Sequence, residues 1–368
     1  MTVIPAFTGK RLVLARHRRR MTLAALARAS KLTTHSLTHF ENRLKYPSPQ
    51  SLDRLAGALD VTPEFLLAPA PQQILPEMMS LRSPTRLTAR KRNSAVAVAE
   101  LTAAFVSWIE THLWLPYPNL PSWPQLDPEH AAEALRAHWQ MGDAPSGELT
   151  PLLEANGIRI FALPADCGDV GAFSTRQSGT PFVFLPSHLD GEQARQHLAH
   201  ELAQLVLGHR RPGHRDSRPA AIQFASAFLM PRTAVVAAML RTATPERLAT
   251  AACAWGVPAS AVLHRLHDLE LLPEWDHRSN IQKLGDETSP YKQPGATSVE
   301  RSYLLPKAVA HLRARGLPVE SVAELTALHT GEPPRWPTAP ARPTGQPGAG
   351  TESADSLARG TSAQSGQR

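Results

Sequence analysis

Apolar positions recur at helical spacing through most of this chain and alternate in only one short region. In residues 9–67 the pattern predicts five short helices. Leu12 and Ala15 share one face of 11–19. Thr22 is placed to cap a helix over 23–29 that turns Leu26 and Ala27 inward. Thr33 is placed to cap the next, through residue 41, with Leu37 and Phe40 as its buried stripe. Tyr46-Pro47-Ser48-Pro49 makes a turn, Leu52, Leu55 and Leu59 mark 50–59, and a last turn from Pro63 carries Phe65 and Leu66.

Residues 68–84, broken by Pro69, Pro71, Pro76 and Pro84, read as a linker. Helical spacing then resumes. Val98, Leu101, Phe105, Trp108 and Ile109 mark a core helix over 95–114, and Ala131, Leu135 and Trp139 mark one over 128–139. A helix over 149–156 is stopped by Gly157. The period then changes to two: Ile158-Arg159-Ile160-Phe161, Ala172-Phe173-Ser174 and Pro181-Phe182-Val183-Phe184-Leu185 are predicted strands, with a turn at Gly179-Thr180. They lead into a helix over 197–207. Helices over 244–256 and 258–271 follow, turned at Gly256-Val257-Pro258. Glu246, Glu270 and Asp268 against Arg247, His264 and Arg265 read as their exposed, mixed-charge surface, which suits packing better than DNA contact. Residues 286–298 read as a linker, 299–330 as a helical appendage broken at Gly316-Leu317-Pro318, and 331–368 as a disordered Pro-, Gly- and Ser-rich tail. The expected fold class is α+β: an N-terminal all-α five-helix domain over 9–67, then a mostly helical domain over 85–285 with a small sheet.

Charge changes the reading of the first block. Residues 1–70 hold eleven Lys/Arg against four Asp/Glu, an excess of seven that matches the +7 of the whole 368-residue chain. A compact basic module suits a polyanion, double-stranded DNA first. Two short helices joined by a tight connection within it form a helix-turn-helix whose recognition helix begins at Thr33. Its outward face carries Thr34, His35, Thr38 and His39, types that hydrogen-bond base edges or pack on a thymine methyl. Arg43 and Lys45, just past the helix, suit phosphates. Arg90-Lys91-Arg92 reads as a solvated face. Cys167 and Cys253 form no C-x-x-C pair and are expected as small core residues in a reducing cytosol. No stretch is apolar and long enough to span a bilayer, and basic residues interrupt the start, so a cytoplasmic chain without a membrane partner is expected.

The first block resembles the Cro/CI-type (Xre) DNA-binding domain along its full length. The resemblance is carried by Arg11-Leu12, Arg16, Leu26-Ala27, Leu32-Thr33, Leu37-Thr38, Phe40-Glu41-Asn42, Pro47-Ser48, Leu52, Leu55-Ala56 and Leu59. It implies an Arg16–Glu41 ion pair between the first and third helices. It also implies Gln at the start of the second helix, where Leu23 stands.

Candidate chemistry lies in His197-Leu198-Ala199-His200-Glu201-Leu202-Ala203-Gln204. In H-E-x-x-H, two His at i and i+4 hold zinc and the Glu activates its water. His200 and Glu201 fit, but Gln204 replaces the second His, and a carboxamide is a weak zinc ligand beside imidazole. The surroundings resemble the ImmA/IrrE metallopeptidases over residues 94–284. The matching pieces are Leu153-Glu154-Ala155-Asn156-Gly157-Ile158, Ala172-Phe173-Ser174, Pro181-Phe182-Val183, Arg195, Leu198-Ala199-His200-Glu201-Leu202 and Phe224-Ala225-Ser226 with Phe228-Leu229-Met230-Pro231, and Val257 to Leu272 fits the closing helical segment. The resemblance implies a zincin-like fold and a third ligand, a Glu six residues before Phe224. Arg218 stands there. A shifted site would draw on His197, at i−3 from His200, and on Asp216, His209 or His214.

Three functions follow as expectations. In the first, the chain is a sequence-specific transcriptional regulator, acting as a homodimer, with no cofactor. Its metallopeptidase-like domain senses a small-molecule or protein ligand. In the second it is a Zn²⁺ endopeptidase that cleaves a repressor, with Glu201 catalytic and His200, His197 and Asp216 at the metal. In the third it is an antitoxin-like interaction protein.

Overall fold

The computed structural model describes residues 7–81, 87–208, 218–238, 244–285, 300 and 302–319. Five helices come first: α1 (Gly9–Arg18), α2 (Leu23–Ser30), α3 (Thr34–Glu41), α4 (Pro49–Leu59) and α5 (Pro63–Leu67). Thr22, Thr33, Ser48 and Thr62 close the starts of α2 to α5, each accepting from the N–H three residues on. Leu12, Leu26, Leu37, Leu55, Leu59 and Phe65 meet in one core and are fully buried. Arg16 forks onto both oxygens of Glu41 at 2.7 and 2.9 Å, tying α1 to α3.

The next helix, α6 (Ala89–Glu110), serves two cores. Ala97 and Leu101 close the five-helix core, whereas Val98, Phe105, Val106 and Ile109 face the other way. It starts earlier than the apolar stripe predicts and stops at Glu110, leaving Trp114 at the surface. α7 (Pro128–His138) and α8 (Leu149–Ala155) follow. Gly157 ends α8 with φ +80°, and a Cβ there would lie 2.3 Å from the Tyr117 carbonyl oxygen, so the turn admits only glycine.

The sheet has three strands, β1 (Arg159–Leu163), β2 (Phe173–Gln177) and β3 (Thr180–Pro186), in the order β1-β3-β2. β1 runs parallel to β3 and β2 antiparallel to it. The hairpin turn is Ser178-Gly179, both with positive φ, one residue before the predicted pair. Alternation splits the strands between two cores. Phe161, Phe173, Phe182 and Phe184 stack on the α6 side, while Ile160, Val183 and Leu185 face the helices that follow. These are α9 (Gly191–Leu207), α10 (Arg218–Leu229), α11 (Arg232–Ala237), α12 (Pro245–Trp255), α13 (Ala259–Asp268) and α14 (Glu274–Gly285); α15 (Leu304–Ala314) comes last. The fold is α+β, with a helical N-terminal module.

Several expectations are corrected by packing. Part of the expected linker is built in: Ile74 and Met79 are buried in the α6–sheet core, and Met79 bridges Thr175 on β2. The expected appendage also joins this core through Leu305, Ala308, Val309 and Leu312 of α15. Glu300 accepts from the N–H groups of Leu149 and Thr150 at the start of α8 (3.0 and 2.7 Å) and pairs with the buried Arg195 at 2.9 Å. Glu154, near the end of α8, accepts from Tyr303 and Leu304 N–H at the start of α15, and burial lifts its pKa. Arg265 is not a surface charge: it is buried and forks onto Glu129 of α7. Cys167 is buried as expected, but Cys253 is exposed. The expected linker over 286–298 and tail over 331–368 lie outside the described residues.

Candidate functional site

The first candidate surface is α3. Thr34 and His35 are exposed, and Thr38 and His39 are half-buried. Thr33 is exposed, but its hydroxyl accepts from Ser36 N–H and pairs with Ser36 Oγ, so its main occupation is the cap. The Thr38 hydroxyl donates to the Thr34 carbonyl at 2.9 Å, which leaves it lone pairs and a methyl to offer a base. His35 and His39 lie with ring centroids 4.0 Å apart. Partial desolvation, then the nearby His35 and Lys45, lower the His39 pKa. Arg43 takes φ +60° just after α3, and both Arg43 and Lys45 are exposed.

The basic excess of this module is only partly outward. Arg16 engages Glu41 and Arg19 engages Asp60. Arg18 and Arg20 reach out of the module to Asp166 and Asp169, at 2.7 and 2.5 Å, and Lys91 joins Asp169 at 3.0 Å. These pairs fix the five-helix module against the sheet-bearing domain. Composition alone counts them as charge available to a polyanion.

The second candidate is α9, capped by Asp190, whose carboxylate accepts from Gln193 N–H at 2.7 Å. Neighbours on a helix point about 100° apart, so His200 and Glu201 serve different places. His200, with His197, Arg218, Ser226, His264 and Asp268, lines a cavity of about 690 Å³. Glu201 is wholly buried and faces the edge of the sheet. Its Oε2 accepts from the hydroxyls of Ser80 and Ser174, the latter at 3.0 Å. Ser80 is laced to β2 in both directions: its N–H donates to the Ser174 carbonyl at 2.9 Å, and its Oγ accepts from Ser174 N–H at 2.6 Å. Thr175 Oγ1 reaches the Met78 carbonyl at 3.0 Å. The segment 78–80 is therefore tied to β2 through the Met79–Thr175 bridge and the Ser80–Ser174 bonds, and Glu201 holds its end.

Zinc fits the donors around His200 poorly. Gln204 stands at i+4 and is nearly buried, and Arg218 brings a cation to the cavity. Among the described residues, no set of three close His, Cys or carboxylate ligands includes His200 or His197. Asp216, His209 and His214 lie outside the described residues. Ser80 and Ser174 were not found by sequence reasoning, because no spacing rule joins positions 121 and 27 residues from Glu201.

A family model for a Cro/C1-type HTH DNA-binding domain matches residues 12–72, and one for an IrrE N-terminal-like domain matches residues 153–267. The chain joins these two domains. The HTH match covers the capped helices and the exposed face of α3. The IrrE-like match runs from α8 into α13 and takes in β1 to β3, His200 and Glu201, leaving α14 and α15 beyond it. The searches of curated proteins and of solved structures give no match. Among the described residues, no helix is long and apolar enough to cross a membrane.

Proposed function

We propose that the chain is a sequence-specific DNA-binding regulator whose IrrE-like domain has exchanged catalysis for sensing. The observation that carries this reading is the position of Glu201. The residue that would activate a zinc-bound water is instead a buried acceptor for two serine hydroxyls. Gln204 and Arg218 stand at the two other expected ligand positions, so of the expected ligand set His200 alone remains among the described residues. The cavity beside His200 is left for a ligand, small molecule or peptide. Its route to the HTH domain is short: α9 carries both His200 and Glu201, and Glu201 grips the segment that leads back to α5. One HTH reads a half-site, so the regulator acts as a homodimer on two half-sites about 10 bp apart or a multiple of that.

The DNA face is tested with Thr34→Ala/Thr38→Ala, assayed on a duplex selected from a random library by the wild-type chain. Each lost base contact weakens specific binding by about 1–3 kcal/mol. Affinity for the selected duplex is expected to fall at least tenfold, with binding to random duplex little changed, because Arg43 and Lys45 still meet phosphates. Equal losses on both duplexes would remove α3 as the reader.

A further inference from the structure

A second cluster of ligand side chains lies on the α13–α14 hairpin, with two members inside the IrrE-like match and two beyond it. His264 and His267 stand three apart on α13, and Glu274 and His277 three apart on α14, so each pair shares a helical face. The two faces meet. His267 Nε2 lies 2.7 Å from Glu274 Oε2, and His277 Nε2 lies 3.1 Å from His264 Nδ1. The His277 ring sits 4.5 Å from that of His267 and 5.0 Å from that of His264. Ligand atoms of His267, Glu274 and His277 all lie within 4.8 Å of one another.

We propose that His264, His267, Glu274 and His277 form a binding site for a first-row divalent metal ion of the zinc class, which fastens α14 to α13. Tetrahedral zinc with bonds of about 2.0–2.1 Å sets its ligand atoms roughly 3.3 Å apart. Among His267, Glu274 and His277 the separations run from 2.7 Å to within 4.8 Å, on both sides of that value, and His264 Nδ1 lies 3.1 Å from His277 Nε2. The side chains are exposed or half-exposed, so small rotations close the gap. Three imidazoles and one carboxylate favour zinc, nickel or copper over magnesium or calcium.

The chemistry of the neighbours agrees. Arg278 holds Glu274 Oε1, leaving Oε2 toward His267, and Arg278 is itself largely exposed. His264 and Asp268 line the rim of the His200 cavity, so an ion here adjoins that cleft without using its α9 residues.

The test is calorimetric titration of the full chain with ZnCl₂, alongside His267→Ala/His277→Ala and His197→Ala/His200→Ala. The wild-type chain is expected to take up one equivalent. The His267/His277 variant should bind more than tenfold more weakly, since loss of even an outer-shell partner weakens metal sites about 10–100-fold. The His197/His200 variant should bind as wild type does. In hydrogen exchange, zinc should protect the amides of α14 in the wild type and the His197/His200 variant, and not in the His267/His277 variant. Absence of uptake would overturn the proposal, as would equal affinity in the His267/His277 variant. Uptake lost only in the His197/His200 variant would overturn it too, and would separately overturn the non-catalytic reading of the cleft.

Discussion

Glu300→Ala is expected to destabilise the protein by about 3–5 kcal/mol, the cost of removing one member of a buried ion pair. Glu300 and Arg195 are both almost inaccessible to water. Arg195 also donates to the Gly147 carbonyl and Ser146 Oγ, so it stays fixed when its carboxylate is removed. The two N–H groups at the start of α8 lose their acceptor in the same substitution. The loss should appear as a fall in denaturant midpoint with an unchanged slope, since the compactness of either state is not the target. Glu300→Gln should lose less, because a carboxamide still accepts from Leu149 or Thr150. If the segment around Glu300 were a separate appendage, unfolding of the remaining structure would not respond to either change.

Glu201→Ala is the second large effect, at about 3 kcal/mol. The part-buried hydroxyl of Ser80 and the buried hydroxyl of Ser174 lose their acceptor, each at about 1–3 kcal/mol, and the site gains a void. Glu201→Gln keeps a carbonyl oxygen in reach of both serines and should cost about 1 kcal/mol. The comparison separates two roles. In a peptidase, Gln removes turnover and leaves stability nearly unchanged. In a structural role, stability follows the hydrogen bonds, and operator binding survives in the Gln variant. A double-mutant cycle of Glu201→Ala with Ser80→Ala should give a coupling above about 0.5 kcal/mol, the level beyond which contacting residues stop being additive.

Much of the fold was legible because it rests on local rules. The Leu37–Phe40 stripe, the Thr22 and Thr33 caps, and the change of period at Ile158 each need only a few neighbouring residues. The Arg16–Glu41 pair and the IrrE-like blocks came from resemblance to families, not from spacing. What stayed hidden is contact between distant positions. Ser80 sits in a Pro-broken stretch that reads as linker, yet it is pinned 121 residues away at Glu201. Arg265 falls on the polar side of its helix pattern, and only Glu129, 136 residues earlier, makes its burial affordable. The spacing of His264, His267, Glu274 and His277 is visible in the sequence, but the hairpin angle that brings the pairs together is not. In the helix-turn-helix module the pairing of Arg18 and Arg20 with Asp166 and Asp169 stayed hidden, since charge counts do not record partners.

The claim on which the account rests is that α9 uses Glu201 to hold the chain together and not to activate a metal-bound water. Zinc content of the His267→Ala/His277→Ala chain, grown with added zinc, tests it most directly. The account predicts well under one equivalent per chain, unchanged by a further His200→Ala substitution. A full equivalent that His200→Ala removes, with peptide hydrolysis that Glu201→Gln abolishes, would contradict it.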